Sequence, residues 1–198
     1  VLIIAEHDNK SLKAATLHAV TAGKQLGGEI HILVAGYQCD EAVKQAAAVA
    51  GVAEVLQSSA EYLEHQLAED IAPLIASLAE NYSHILAPAT TSGKNYLPRA
   101  AALKDVQLLS DIISVESDDT FKRPIYAGNV IATTKSLDPI KFLTVRATAF
   151  DAAPMQGGNA SIKTLEAAST SSLSSFESQE IATSDRPELT SAKVVVSG

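Results

Sequence analysis

The sequence predicts an α/β protein, built on a parallel sheet to which antiparallel strands are added. Short apolar runs typical of buried strands alternate with segments in which apolar residues recur at three- and four-residue steps, as in amphipathic helices. The predicted strands begin about 25 to 30 residues apart, which is the repeat of a right-handed βαβ unit. The 198 residues are 46% hydrophobic but only 5% aromatic, so Ala, Val, Ile and Leu must pack helices closely against a sheet.

The first predicted strand is the apolar run 1–5, which suits a strand covered on both faces. A helix follows it, because apolar residues from Leu12 to Leu26 recur on one face and Gly27 supplies a stop. The next strand is predicted over 29–36, where apolar residues again form a short run.

A long helix is predicted from Leu63 to Leu78, because leucine and isoleucine residues form one stripe along it. Pro73 lies inside this pattern, so we expect the helix to kink there or to split in two. The helix before it is expected to begin with Asp40 as its N-cap. This preceding helix is predicted over 40–51. Two further strands of the first half are predicted over 52–59 and 83–89.

The second half is predicted to form antiparallel strands that join the parallel sheet. Three segments rich in Ile, Val, Thr, Tyr and Phe are separated by turn-forming residues, and they cover 108–117, 124–136 and 140–150. The small, polar residues of 151–175 cannot bury a core, which predicts a loop. A last strand is predicted at 176–182.

This pattern divides the chain into three parts. Residues 1–182 are expected to form one α/β domain, and the polar, proline-containing segment 183–191 is expected to be a linker. Residues 192–198 are an apolar run followed by a glycine, which is how a dinucleotide-type βα unit begins. We therefore expect them to form the first strand of a second domain.

The charge pattern argues against two classes of partner. The chain has 15 Lys and Arg against 23 Asp and Glu, a net charge of -8, and the basic residues are scattered singly. A nucleic-acid partner is therefore not expected. No apolar run approaches the roughly 20 residues of a membrane span, so membrane insertion is not expected either.

Cys39 is the only cysteine, which excludes a disulfide framework and a thiolate cluster and indicates a reducing compartment; we expect a structural role for it. The first residues are already strand-like, without a charged or Arg/Ser-rich leader. These features favour the bacterial cytoplasm, with the mitochondrial matrix as the alternative.

The most suggestive local segment follows the predicted strand that ends at Pro88. Its residues offer hydroxyl groups, a flexible backbone and one cation at the edge where α/β sheets bind ligands. It is not a Walker A loop, because the first glycine and the Ser or Thr after the lysine are missing. Two interpretations remain open: a ligand-binding loop, or a helix cap that packs against a neighbouring subunit. The candidates are Thr90, Thr91, Ser92, Gly93 and Lys94.

Neither catalysis nor metal binding is predicted at His7, which follows the first strand. No nucleophile elbow accompanies it and no second histidine stands at metal spacing. Three arginines interrupt apolar or turn-like stretches, where an arginine usually pairs with a carboxylate inside the fold or across an interface. They are Arg99, Arg123 and Arg146, and Asp105 and Asp111 are candidate partners.

Several ordered blocks of the sequence resemble the N-terminal domain of the electron transfer flavoprotein α subunit. The blocks are VLIIAEHDN, then LKAATL, LAPATTSGKNYLPRAAALKDVQLLSDI, RPIYAGN and KFLTVRATAF, and they span residues 1 to about 150. The terminal SAKVVVSG is similar to the strand that starts the flavin domain of that family. The resemblance implies a Rossmann-like sheet of the adenine-nucleotide α-hydrolase type.

The resemblance also implies a function. Members of that family are heterodimers of α and β subunits that accept electrons from flavin dehydrogenases and pass them to a quinone oxidoreductase or a related acceptor. It implies that FAD is bound mainly by residues after Gly198, and that AMP lies on the β subunit. This chain is then an electron-carrier scaffold without side-chain catalysis of its own. No catalytic, metal-binding or flavin-binding residue is assigned within it.

A stand-alone adenine-nucleotide-binding protein of the universal-stress type is the alternative. The same parallel sheet occurs in such proteins, but they need a glycine-rich phosphate loop. The segment HDNKSL stands where that loop would follow the first strand, and it contains no glycine. The resemblance to the electron transfer flavoprotein is therefore the preferred hypothesis.

Overall fold

The computed structural model describes residues 1–166, 170–180, 192 and 194–198. Within them lie four α-helices, α1 (Ala14–Gln25), α2 (Asp40–Ala48), α3 (Ala68–Leu78) and α4 (Gly93–Leu103). The strands are β1 (Leu2–Ile4), β2 (His31–Gly36), β3 (Glu54–Ser59), β4 (His84–Pro88), β5 (Leu108–Ile112), β6 (Ser114–Val115), β7 (Thr120–Ile125), β8 (Val130–Lys135), β9 (Lys141–Val145) and β10 (Ser161–Thr164).

A seven-stranded sheet forms the centre of the fold, in the order β10-β3-β2-β1-β4-β9-β5. All its neighbouring strands pair in parallel. A separate three-stranded antiparallel sheet has the order β6-β7-β8. The predicted fold class, a parallel α/β sheet with additional antiparallel strands, is confirmed.

Helices cover both faces of the large sheet. Alternate residues of each strand point to opposite faces, so neighbouring residues pack into different cores. Ile3 packs in a core with residues of α1 and α2. Leu2, its neighbour, packs in a second core with residues of α3 and α4. Both side chains are fully buried, and burying one Leu or Ile stabilises a fold by about 1.5–3 kcal/mol.

The prediction for the second half was wrong in one respect. Residues 108–112 and 141–145 are not antiparallel strands: β5 and β9 are parallel members of the large sheet, and β9 lies between β4 and β5. Phe142, Leu143 and Val145 of β9 are fully buried, as expected for a strand with helices on both faces. Only β6, β7 and β8 are antiparallel, and they form their own sheet.

The predicted loop at 151–175 contains the edge strand β10, which pairs in parallel with β3. All four residues of β10 are exposed. The strand is held by backbone hydrogen bonds along one edge, so its sequence carries no apolar signal.

The first two helices lie close to their predicted positions. α1 ends just before Gly27, whose φ of +73° suits glycine. Asp40 is the first residue of α2 rather than its N-cap, which is Cys39.

Pro73 does not split its helix. It lies in the middle of the continuous helix α3, where it removes one backbone hydrogen bond. The break falls earlier, between a short 3₁₀ helix that ends at Leu63 and the start of α3. Gln66 has a φ of +50° there, and its Nε2 donates to the backbone oxygen of His7.

The end of the chain gives no regular structure among the described residues. Residues 176–180 form no strand, and 181–182 lie outside the described residues. The predicted linker 183–191 also lies outside them. Residues 194–198 form no strand, so the expected strand is not present in them, and their assignment to a further domain stays a prediction.

Candidate functional site

The polar residues that follow the strands gather at the carboxyl-terminal edge of the large sheet. β1 lies between β2 and β4, which are reached by connections on opposite sides. A crevice therefore opens at this edge between the ends of β1 and β4, where open α/β sheets usually bind ligands. Glu6 and His7 follow β1, and the loop that begins at Ala89 follows β4.

The loop after β4 is closed on itself by hydrogen bonds. Gly93 N donates to the hydroxyl oxygen of Thr90 at 3.3 Å, and Lys94 N donates to the Thr90 carbonyl at 2.9 Å. The next two N–H groups of α4 donate to the carbonyl of Ser92. The first turn of α4 therefore has no free N–H group to cradle a phosphate, which weakens the ligand-loop interpretation and favours the helix-cap interpretation.

Gly93 is required by packing at the start of α4. A Cβ atom on this residue would lie 2.0 Å from the backbone oxygen of Pro88, the last residue of β4. Real Cβ atoms do not approach an oxygen so closely, so only glycine lets α4 begin directly against the end of β4. This contact fixes the position of the loop relative to the sheet.

A cavity of about 310 Å³, which we name the basic cavity, lies beside this loop. Its polar lining consists of Thr90, Lys94, Asp111, Arg146 and Thr148. Nε of Arg146 donates to Oδ2 of Asp111 at 3.1 Å, and Nη2 of the same arginine donates to the same oxygen. The bonds from Arg146 hold the pKa of the Asp111 carboxyl below its ordinary value, and the charge of Lys94 acts in the same direction.

A second cavity of about 500 Å³, which we name the polar cavity, lies at the end of β1. Its lining includes His7, Asn9, Glu64 and Gln66. Asn9 ties two segments together: its Nδ2 donates to the Glu64 carbonyl at 2.9 Å, and its Oδ1 accepts from Tyr37 N at 3.1 Å.

Residues 170–176, which we name the strap, lie beside α3, and the last of them, Phe176, lines the polar cavity. The hydroxyl group of Thr170 and the backbone N–H of Ser171 donate to Oδ1 of the buried Asp70, at 3.0 and 2.7 Å. The ring of Phe176 stacks on His65 with centroids 3.5 Å apart. The strap is thus bound to α3 and to the segment before it.

Two buried titratable side chains, His7 and Tyr96, and the half-buried Glu6 have shifted pKa values. Burial lowers the pKa of His7 to about 4, so its ring is neutral at pH 7. Burial raises the pKa of the half-buried Glu6 and that of Tyr96. Among the described residues, the Tyr96 hydroxyl and Oε2 of Glu6 are buried without a hydrogen-bond partner.

The predicted loop residues lie in different surroundings. Thr90 and Lys94 line the basic cavity, and Ser92 lines the polar cavity. Thr91 is exposed, and Gly93 serves the packing described above.

The arginines make separate contacts within the fold. Arg146 lines the basic cavity and pairs with Asp111, one of its two candidate partners. The other candidate, Asp105, is exposed and pairs with no arginine of the described residues. Arg99 of α4 lies 3.5 Å from Glu69 of α3. Nη2 of Arg123 donates to the Ser110 hydroxyl at 2.6 Å.

The strap and its anchor were not found from the sequence. Thr170 and Asp70 are 100 residues apart in the chain, and Asp70 follows Glu69 in the first turn of an ordinary amphipathic helix. A helix pattern cannot show which distant segment binds its polar positions. No signal in the sequence pointed to this contact.

The remaining chemistry of the described part of the chain is limited. Burial raises the pKa of the Cys39 thiol, so it is not a reactive thiolate. No group of three or more His, Cys, Asp or Glu side chains among the described residues is placed to hold a metal ion. No described helix combines the length and apolar character needed to cross a bilayer.

A parallel sheet with helices on both faces and a polar crevice at the point where the strand order reverses defines a Rossmann-like α/β domain. Comparison with known proteins gives the particular family. The family model of the electron transfer flavoprotein domain matches residues 1–170. The chain belongs to this family.

Individual relatives agree with that assignment. The electron transfer flavoprotein subunit alpha of Pseudomonas aeruginosa is 54% identical over 198 residues, which is all of this chain and 64% of the relative. That of Bradyrhizobium diazoefficiens is 52% identical and is covered to 62%. The mitochondrial subunit alpha of Dictyostelium discoideum is 46% identical and is covered to 60%. The chain spans about three-fifths of the length of these relatives.

Neither the loop after β1 nor the start of α4 forms a cradle for the flavin that the family name implies. A dinucleotide site on such a sheet needs a glycine-rich turn after a strand and free N–H groups at a helix N-terminus. The loop after β1 has no glycine, and the first turn of α4 uses its N–H groups within its own loop. The same observations count against the universal-stress alternative.

Proposed function

We propose that this chain is the N-terminal domain of the α subunit of a heterodimeric electron transfer flavoprotein. The observation that carries the proposal is the 54% identity to such a subunit along the whole of this chain. In this role the domain is a rigid scaffold that binds the β subunit. The candidate interface consists of Thr90, Thr91, Ser92, Gly93, Lys94, Arg99 and Arg146.

The heterodimer accepts electrons from flavin dehydrogenases and passes them to a quinone oxidoreductase or a related acceptor. It is an electron carrier rather than an enzyme, and this domain supplies no bond-making side chain. The buried, neutral ring of His7 and the buried thiol of Cys39 support this assignment. Neither group is placed as an activated base or nucleophile.

FAD is bound mainly by residues that follow Gly198, and AMP is bound by the β subunit. The closed loop at the start of α4 supports a flavin site outside this domain, because it leaves no N–H group for a pyrophosphate. When bound, the flavin supplies the redox chemistry. The segment 183–191 is a linker on which the flavin domain moves relative to this scaffold.

The protein works in the bacterial cytoplasm, with the mitochondrial matrix as the alternative compartment. Relatives from bacteria and relatives named as mitochondrial both match the whole chain, which supports these two compartments. Nucleic acid is not a partner, because the chain carries a net charge of -8 without a clustered basic stripe.

Co-expression tests this proposal. The natural full-length subunit that contains this chain is co-expressed with the β subunit of the same organism, and a tag on one subunit is used for purification. We expect the two subunits to copurify in equal amounts with a flavin absorption spectrum. A tagged subunit that is recovered alone and colourless, while both subunits are expressed and folded, contradicts the proposal.

A further inference from the structure

Positive charge is concentrated at one point of an acidic chain. The whole chain has a net charge of -8, yet Lys94, Arg123 and Arg146 all lie close enough to Asp111 to stabilise its carboxylate. Three cations against one carboxylate leave an excess of two positive charges. A local excess of this kind attracts an anionic group.

The guanidinium of Arg146 is held in place while it remains accessible. Its Nε and Nη2 both donate to Asp111, which leaves Nη1 without a hydrogen bond among the described residues. The Arg146 side chain is 43% exposed, whereas the Asp111 side chain is only 19% exposed. Asp111 therefore orients the guanidinium in advance, which lowers the entropy cost of binding a further group.

Lys94 adds a charge that is not held in an ion pair. Its side chain is exposed and forms no ion pair within the described ranges. Its backbone is held by the bond from its N–H to the Thr90 carbonyl and by the close packing of Gly93 on β4. By contrast, five other lysines pair with carboxylates: Lys13, Lys44, Lys104, Lys122 and Lys135.

The geometry favours a carboxylate over a nucleotide phosphate. The N–H groups of the first turn of α4 are already bonded, so an anion in the basic cavity meets side chains only. A guanidinium with one open edge suits a planar carboxylate. The volume of about 310 Å³ is at the lower limit for a small-molecule site, but it admits a single side chain.

We infer that the basic cavity, with Lys94 and Arg146, receives an acidic side chain of the β subunit when the heterodimer forms. This inference rests on the proposed function, since it names the chemistry by which the proposed partner is recognised. In the complex, Lys94 and Arg146 also orient the two subunits, because charge complementarity fixes the register of an interface.

The affinity of the two natural full-length subunits tests this inference. The dissociation constant is measured at low and high salt for the natural α subunit and for variants of it. We expect Lys94→Glu to weaken binding at least about tenfold, Lys94→Gln to weaken it less, and Arg146→Lys, which keeps the charge but loses the planar fork, also to weaken it. Increasing salt should weaken the natural complex more than the Lys94→Glu complex.

Lys163→Glu is the matched control, because Lys163 is an exposed lysine on β10 at the opposite edge of the sheet. We expect it to bind like the natural subunit. Circular dichroism of every variant establishes that it is folded. Inorganic phosphate and AMP are also titrated into the α subunit alone, and no binding that depends on Lys94 is expected.

The outcomes separate this inference from the proposed function. If the natural subunits form no complex, both are overturned. If they form a complex whose affinity is unchanged in Lys94→Glu and Arg146→Lys, the inference alone is overturned. If phosphate or AMP saturates the α subunit and this binding is lost in Lys94→Glu while the complex is unaffected, the cavity is a small-anion site and the inference is again overturned.

Discussion

At the scale of single residues, His7 links the crevice to the stability of the fold. Its Nδ1 accepts from the backbone N–H of Asn9 at 3.1 Å, and burial lowers its pKa from 6.5 to about 4. The folded state therefore holds the neutral ring, whereas the unfolded chain protonates it near pH 6.5. The stability that this residue contributes is complete above pH 6.5 and is lost as the pH falls toward 4.

We expect the free energy of unfolding to fall by about 3 kcal/mol between pH 6.5 and pH 4 on account of His7. In His7→Asn, whose side-chain oxygen can still accept from Asn9, this part of the pH dependence should disappear. Burial also lowers the pKa of His84. The free energy of unfolding of the variant should therefore still fall as the pH falls, but less steeply. Urea unfolding at a series of pH values measures the difference, and parallel curves for both proteins contradict the buried, neutral ring.

At the scale of secondary-structure elements, the contact between β4 and α4 depends on Gly93. We expect Gly93→Ala to destabilise the protein by about 1–3 kcal/mol, because the added Cβ forces α4 away from the Pro88 carbonyl. The control is Asn95→Ala, which changes an exposed residue of the same helix. Thermal unfolding compares them. Equal midpoints for Gly93→Ala and the natural protein are inconsistent with the close packing.

The strap gives a second prediction at this scale. Removing the Asp70 carboxylate leaves the Ser171 N–H and the Thr170 hydroxyl without their acceptor. A hydrogen bond to a charged group is worth about 1.5–3 kcal/mol, so Asp70→Ala should increase proteolysis within the strap by roughly 10- to 100-fold. Ser77→Ala, an exposed position on the same helix, should leave cleavage unchanged. Strap cleavage at the natural rate in Asp70→Ala would show that this anchor is not needed.

These elements also show what the sequence could predict. Buried runs such as β1 and β2 and the amphipathic helix α1 carry their own periodic signals, and they were found close to their true limits. Sheet membership carries no such signal, because it depends on which strand lies beside which. The pattern therefore predicts β5 and β9 as antiparallel, and it gives no indication of β10, whose residues are all exposed.

The candidate site was predictable to a similar degree. The rule that ligand crevices lie at the carboxyl ends of strands predicts that the loop with Thr90 and Lys94 lies at this edge, and both residues line the basic cavity there. The rule gives no indication that Arg146 lies beside them. The strap could not be predicted, because its contacts join segments about 100 residues apart by single hydrogen bonds. The closed hydrogen bonding of the loop also needed coordinates, since the same residues suit a phosphate loop and a helix cap.

At the scale of the whole molecule, the chain combines a parallel sheet with an edge at which the loop after β1 has no glycine and the start of α4 has no free N–H group in its first turn. The loop after β4 contributes Thr90 and Lys94 to the basic cavity and Ser92 to the polar cavity. The role that we propose for this edge, within a chain of the electron transfer flavoprotein family, is to form a surface for another subunit. The central claim is that this domain is a scaffold and that the flavin is bound by other parts of the heterodimer.

Flavin binding measures this claim most directly. The 198-residue chain, shown to be folded by circular dichroism, is titrated with FAD while flavin fluorescence is followed, and the natural full-length heterodimer is assayed for its FAD content in parallel. We expect no saturable binding by the 198-residue chain and about one FAD for each heterodimer. Tight, stoichiometric binding of FAD by the 198-residue chain alone would contradict it.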